Sequence, residues 1–337
     1  MGERAVKIFF IAFGLLLVGC GSKSERPRVR IAIPGTGLQT FVMPIALASE
    51  LGYYKDEGLD VAIEHLPSSV KALQALLGGS VDVAGLVFSF NIQMAAEGQR
   101  VRSFFVVNNR DSKVLIVAPS ANNRIHRIED LKGALVGASA AGTAAQLWVS
   151  YLLGKHGLQE PEYSTVAIGI GAPAFAAIED GRVAAAALAG GDHFHLLKRH
   201  PDLRILADNS TVEGMRKTYG GDFFAGGTLS AKQDWLDRNP QTARQLAKAL
   251  ARTHQWILTH TAEEIREKVP EAFRSQDAAV DIQILRWSLA TFTTDGRMPK
   301  GAPEAWKRVL DATVESVRTA KIDLAATWTD EYLPGTK

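Results

Sequence analysis

The chain has 337 residues, of which 46% are hydrophobic and 22% charged, with a formal net charge of +2. So small a net charge excludes a protein steered by a strong field toward nucleic acid or anionic lipid, while the apolar share supports a sizeable core. A single cysteine excludes an intrachain disulfide, so stability has to come from core burial.

At the start of the chain, Arg4 and Lys7 lead into an apolar run over residues 8–18. The run is shorter than the ~20 residues a membrane span requires, and it has the basic start and apolar middle of an export signal. It ends at Leu17-Val18-Gly19-Cys20, which resembles the lipobox of bacterial lipoproteins. That resemblance implies a signal peptide over 1–19, cleavage before Cys20 and a diacylglycerol thioether on its sulfur. Residues 20–27 then read as a solvated tether. No second long apolar run follows, so no other span is expected.

The folded body opens with a strand at 29–33, stopped by Pro34-Gly35-Thr36-Gly37. Phe41, Ile45, Ala48 and Leu51 recur at helical spacing up to Gly52. A second strand is predicted at 59–63. A helix through Val70, Leu73, Leu76 and Leu77 stops at Gly78-Gly79, and a third strand follows at 81–87. After a short helix over 91–97, a fourth strand is predicted at 101–107. Strands alternating with helices imply βαβ units and a mostly parallel sheet.

The pattern then restarts. Strands are predicted at 113–118, 134–138, 166–168 and 183–189, with helices from Gly142 to about Lys155 and over 174–179. The segment 76–84 is echoed by 177–185: each is a helix end, a Gly turn and a strand of small residues. The echo marks equivalent units in two α/β lobes. After Phe223 the chain reads as helical. Asn239-Pro240 has the form of an N-cap followed by proline at the first helical position. Leu246, Leu250, His254 and Ile257 mark one helix face there.

Several of these segments together resemble a known family. They are Ala46-Leu47-Ala48-Ser49-Glu50-Leu51-Gly52-Tyr53-Tyr54-Lys55-Asp56-Glu57-Gly58-Leu59-Asp60-Val61, Leu77-Gly78-Gly79-Ser80-Val81-Asp82-Val83-Ala84-Gly85, and Ile128-Glu129-Asp130-Leu131-Lys132-Gly133. The chain resembles the solute-binding proteins of nitrate, sulfonate and taurine ABC importers. It departs from them where Ala184 holds the usual acidic place of the second turn. The resemblance implies a two-lobed clamshell of the type II periplasmic-binding-protein fold, ending in helices. Lobe I is expected over 28–113 and 217–337, and lobe II over 114–216. Its implied partners are a small solute, an ABC permease and that permease's ATPase, at the outer face of a membrane reached through the lipid alone. A monomer is expected, with no cofactor, no nucleic acid and no catalysis.

In open parallel sheets, ligands sit outside the carboxyl ends of the strands, where helix N-termini offer unpaired N–H groups. Those ends are predicted at 34–39, 87–90, 138–143, 169–173 and 190–193. The candidate contacts from the first lobe are Gly37, Leu38, Gln39, Thr40 and Phe41, with Phe88 and Ser89. The second lobe is expected to contribute Gly142, Thr143 and Ala144, then Gly171 and Ala172, then Asp192 and His193. Gly37–Thr40 and Gly142–Ala144 are expected to grip one polar head from opposite lobes. These five loops hold no Lys or Arg, and Arg110 lies outside them, near the expected hinge. That favours a monoanion or near-neutral solute, sulfonate-, taurine- or nitrate-like or an aromatic acid, held by N–H groups and hydroxyls. Phe41, Phe88, Phe90 and Phe194 are candidate apolar walls.

Two rival readings arise from the same loops. Gly35-Thr36-Gly37 with Glu64 has part of a dinucleotide-binding turn, but Thr40 occupies the third glycine position. His193 and His195 have metal-ligand-like spacing, a pattern more often found hydrogen-bonding in polar loops, and no metal is expected. Relatives of the resembled fold that shuttle pyrimidines or make a thiamin precursor supply the alternative function.

Overall fold

The computed structural model describes residues 26–35, 37–38 and 41–336. The Cys20 reading therefore falls outside the described residues, as do Thr36, Gln39 and Thr40.

The first half contains β1 (Arg28–Pro34), α1 (Met43–Glu50), α2 (Tyr53–Asp56), β2 (Asp60–Leu66), α3 (Ser69–Gly78), β3 (Val83–Val87), α4 (Ser89–Ala96) and β4 (Val101–Val106). The chain then passes into β5 (Val114–Val117), β6 (Leu135–Ala138), α5 (Ala144–Lys155), β7 (Ser164–Ala167), α6 (Ala172–Glu179), β8 (Ala185–Leu188), α7 (His193–Arg199) and β9 (Ile205–Asp208). It returns through α8 (Val212–Tyr219), β10 (Gly227–Lys232), α9 (Gln233–Arg238), α10 (Pro240–Thr259), α11 (Ala262–Lys268), α12 (Ala278–Ser288), α13 (Ala302–Thr313) and α14 (Glu315–Thr319).

These strands form two five-stranded sheets, ordered β2-β1-β3-β10-β4 and β7-β6-β8-β5-β9. In the first, β1 pairs in parallel with β2 and β3, while β10 runs antiparallel to both β3 and β4. In the second, β6 pairs in parallel with β7 and β8, while β5 is the reversed strand. Each sheet is thus mostly parallel with one reversed strand, and that strand lies next to the crossover where the chain changes sheets. The echoed segments end in β3 and β8, which occupy the same third place in their sheets.

Local chemistry explains the element ends. Ser68 accepts a hydrogen bond from the Lys71 N–H at the start of α3, and Gly79 closes that helix at φ 75°, a conformation only glycine adopts freely. The expected Asn239 cap works differently. Its side chain accepts no N–H of α10 and instead donates to the Trp235 carbonyl at 2.8 Å, closing α9. Leu246, Leu250, His254 and Ile257 are buried as one face of α10. His254 donates through Nδ1 to the Thr293 carbonyl at 2.8 Å, and burial pushes its pKa down to about 4.

The C-terminal helices do not stay with the first sheet alone. Trp306, Val309 and Leu310 of α13 share a buried cluster with Trp148, Leu152 and Leu153 of α5. Trp287 of α12 meets His193 and Phe194 of α7. The region 217–337 therefore packs against both sheets' helices rather than only against those of 28–113.

Two crossovers join the sheets, 107–113 and 209–226. They hydrogen-bond to each other: the Gly226 N–H donates to the Asn108 carbonyl at 3.0 Å, and the Gly227 N–H to Asn108 Oδ1 at 2.6 Å. A side chain at Gly226 would meet the Asn108 side chain at 2.4 Å, and one at Gly227 would meet Phe41 at 2.0 Å. Glycine at 226 lets the crossovers approach this closely, and glycine at 227 makes room for the Phe41 side chain.

Candidate functional site

A cavity of about 110 Å³ opens between the sheets at the crossovers. The first sheet's side supplies Pro34, Phe41, Ser68, Ser69 and Val87. The second sheet's side supplies Ser139, Thr143, Ala144, Ala145, Gly169 and Ile170, with Asp192. The floor is the crossover itself, Asn108 and Arg110 to Lys113, with Gly226 and Gly227. Most of these positions lie at the carboxyl ends of strands, as the parallel sheets require.

The floor carries charge that the five strand-end loops do not. Asp111 and Lys113 are buried and form an ion pair. The other Asp111 oxygen accepts from Asn209 Nδ2 at 3.1 Å and from the Tyr219 hydroxyl. Burial and the Asp111 charge hold the Tyr219 phenol well above its ordinary pKa, so it stays a donor. Asn209 and Tyr219 belong to the second crossover. This network therefore satisfies itself and ties one crossover to the other.

Arg110 is different. It is half-buried and lines the cavity, yet its Nε has no hydrogen-bond partner among the described residues and its guanidinium pairs with no carboxylate there. A buried guanidinium donor without an acceptor costs free energy unless a ligand or water fills the place. The sequence reading left Arg110 outside the loops, near the hinge, and the structure brings it into the cavity lining. The five loops lack Lys and Arg, but the crossover brings both to their convergence point.

Beside this floor, α5 starts at Ala144 with Thr143 as its N-cap residue. The Thr143 side chain does not cap the helix. Its Oγ1 donates to the Ala140 carbonyl at 2.7 Å and lies 3.1 Å from Ser139 Oγ. The opening amides of α5 thus lack a side-chain cap, and Ala144 and Ala145 of that first turn line the cavity. Gly142 stands just outside the lining, its N–H already donated to Gln146 Oε1 at 2.7 Å.

Asp192 lines the cavity at the start of α7. Burial raises its pKa to about 6, opposed by a hydrogen bond from the Gly171 N–H. Gly171 and Ala172 are not among the residues that line the cavity. Of the expected contacts, Phe41, Thr143, Ala144 and Asp192 line the cavity.

Others are placed elsewhere. Leu38 is 6% exposed within the core beside β1, and Gly37 next to it lines no part of the cavity. Phe88 and Ser89 are fully buried at the start of α4, beneath Val87, which takes the wall position. Phe90 packs in a separate core cluster, and Phe194 against Trp287. His193 is 4% exposed, its ring 4.2 Å from that of Phe194 and 5.7 Å from that of Trp287. Burial pushes its pKa down to about 4, so it is a neutral core histidine, and it is not among the residues that line the cavity.

Sequence reading missed Arg110, Asp111 and Lys113 as site residues. The available signal was the polar run Asn108 to Lys113 between two apolar strands, a place where buried chain needs a reason to be charged.

The chain matches the family model described as NMT1/THI5 like over residues 39–264. A solved structure of a Bordetella bronchiseptica RB50 protein is 32% identical, with TM-score 0.84, covering 91% of this chain and 96% of its own. The alkanesulfonate-binding protein SsuA of Xanthomonas axonopodis pv. citri, solved bound to MOPS, has TM-score 0.68 at 16% identity, covering 91% of this chain and 99% of its own. That likeness is one of fold, the two-lobed α/β architecture of periplasmic binding proteins. YtlA of Bacillus subtilis, named only as a presumed binding protein, is 23% identical over 83% of this chain and 80% of its own. The 4-amino-5-hydroxymethyl-2-methylpyrimidine phosphate synthase of Schizosaccharomyces pombe is 32% identical, but over 38% of this chain and 36% of its own.

Proposed function

Since the chain belongs to the NMT1/THI5-like family, we propose that it is an extracytoplasmic binding protein that captures a small organic anion between its lobes for an ABC importer. Arg110 carries the reading: a guanidinium that lines the cavity with its Nε unpartnered offers a place for an anionic head. The uncapped start of α5 faces the same space and adds N–H donors. The proposed moving bodies are 28–113 with 217–337, and 114–216, and the packing of α13 on α5 is then the seam across which they shift. A solute touching both stabilises the closed form by the contacts made only there. The closed form then docks on the permease as a monomer. Capture rather than turnover is proposed.

A thermal-shift screen of sulfonates, nitrate, aromatic acids and pyrimidines tests this. A ligand at 100 times its dissociation constant adds about 2.7 kcal/mol to stability. Stabilisation by an anion, lost in Arg110→Met, is expected. Stabilisation by a neutral pyrimidine with Arg110→Met unaffected would favour a second reading, capture or conversion of a pyrimidine, which the fission-yeast synthase match supports. Product formed by the purified protein would replace capture with catalysis.

Attachment through Cys20 is part of the proposal. Cys20→Ala should release the protein from membranes, and mass spectrometry finding no lipid on the mature N-terminus would remove this part alone.

A further inference from the structure

The Arg110 Nε–H has no partner among the described residues, so its place in the cavity depends on what holds its backbone. Residues on both sides do so. After it, Asp111 is fixed by Lys113 and by Asn209 and Tyr219 of the second crossover. Before it stands Asn108, which is 2% exposed and lines the same cavity. Asn108 Nδ2 donates to the Arg110 carbonyl at 2.8 Å, while its Oδ1 accepts the Gly227 N–H at 2.6 Å.

An amide carries a donor and an acceptor in one plane, and this position uses both. The Gly227 N–H can only donate and the Arg110 carbonyl can only accept, so the two partners fix the amide's orientation. An ionised aspartate here would set an acceptor against the Arg110 carbonyl. Leucine would leave both backbone groups without a partner.

Asn108 itself rests on a firm base. On one flank its carbonyl accepts the Gly226 N–H at 3.0 Å. On the other flank a third segment, 291–293, runs alongside, with Phe292 forming an antiparallel bridge to Asn108. The Asn109 N–H donates to the Thr291 carbonyl at 2.8 Å, and the Thr293 N–H to the Val107 carbonyl at 3.1 Å. Arg110 therefore sits on a turn held at its own carbonyl and at Asp111, and chiefly its side chain is left to move.

Building on the capture reading above, we infer that Asn108 is the positioning residue for Arg110. Its amide holds the Arg110 backbone so that the guanidinium stands in the cavity before a solute arrives. Asn108 acts through Arg110 and not on the solute. The affinity gained comes from ordering completed during folding instead of on binding.

A double-mutant cycle on the full folded chain tests this, with ethanesulfonate as the probe and affinity read by magnetic resonance titration of the ligand lines. Asn108→Ala should weaken binding by about tenfold or more in the otherwise native protein. In the Arg110→Met background the same change should alter affinity by less than about threefold, because the group it positions is gone. The free protein gives a second readout: the Arg110 Nε–H resonance should broaden or split in Asn108→Ala. Equal losses in both backgrounds overturn the inference, since Asn108 would then touch the solute or act only through stability. A loss below about threefold in the native background, or an unchanged Arg110 resonance, also overturns it. Asn108→Ser, too short to reach both partners, repeats the cycle if the alanine variant does not fold. Failure of both to fold makes Asn108 a requirement of the fold and overturns the positioning role. If ethanesulfonate does not bind, the screened anion that stabilises the protein most takes its place. Anion binding through Arg110 with no role for Asn108 sinks this inference alone, and binding of no anion sinks the capture reading with it.

Discussion

The two sheets share one strand plan, with β3 and β8 in equivalent places and β10 and β5 as the reversed strands. They give the cavity different chemistry. The first sheet's side is a largely apolar wall, with Phe41, Pro34 and Val87 beside two serines. The second sheet's side offers Ser139, the opening amides of α5 and the carboxyl of Asp192. The crossover between them adds Arg110. A duplicated scaffold therefore fixes where a ligand sits, while the loops and the crossover decide what it can be. The first wall should tune affinity through shape, and the second wall with the floor should decide charge preference.

The largest effect is expected at the floor. Arg110→Met should weaken binding of an anionic solute by about 100-fold or more in calorimetry, since it removes the charged partner of a desolvated head. A loss of less than about threefold would move the charge preference elsewhere and erase the contrast between floor and walls.

Asp192 should reveal itself without ligand. Its folded-state pKa of about 6 lies above the ordinary carboxyl value of 3.8. The native state therefore holds the proton more tightly than the unfolded chain. The stability this gives is fully present below about pH 4 and is lost as pH rises through about 6. Asp192→Asn should flatten that slope in urea melts and stabilise the free protein at pH 7 by on the order of 2 kcal/mol. An unchanged slope would mean that Asp192 is not desolvated.

On the apolar side, Gly227→Ala would put a methyl 2.0 Å from the Phe41 side chain. Displacing Phe41 should cost about 1–3 kcal/mol of stability and reduce affinity without altering preference among anions. A changed preference would show that the apolar wall also reads charge. Thr143→Val should do least. Its hydroxyl serves the Ala140 carbonyl, so the loss is about 1 kcal/mol of stability with affinity within about threefold.

The same contrast separates what the sequence disclosed from what it hid. β1 to β8 were legible because short apolar runs stand between glycine turns. β10 was not: Gly227-Thr228-Leu229-Ser230-Ala231-Lys232 reads as polar, yet Thr228 and Ser230 are fully buried. Their hydroxyls bond to each other at 3.0 Å, and Thr228 also donates to the Leu86 carbonyl at 3.2 Å. Internal hydrogen bonds replace apolar contacts there, which hides the strand from a hydrophobic pattern. β9 is a four-residue edge strand with little to mark it. In the site, Thr143 and Asp192 were readable because strand ends and helix starts are local features. Arg110 was not, since the crossover's position depends on pairing between Asn108 and Gly226, which are distant in sequence.

The most direct test of the central claim follows the Arg110 Nε–H by nuclear magnetic resonance. Its resonance would be assigned by its absence in Arg110→Lys, then followed while titrating in the anion that stabilises the protein most. The account predicts a large shift of this signal that saturates with the calorimetric binding curve, as the free donor takes the anionic head. An Arg110 signal that stays in place at saturating ligand would put the anion elsewhere and contradict the assignment.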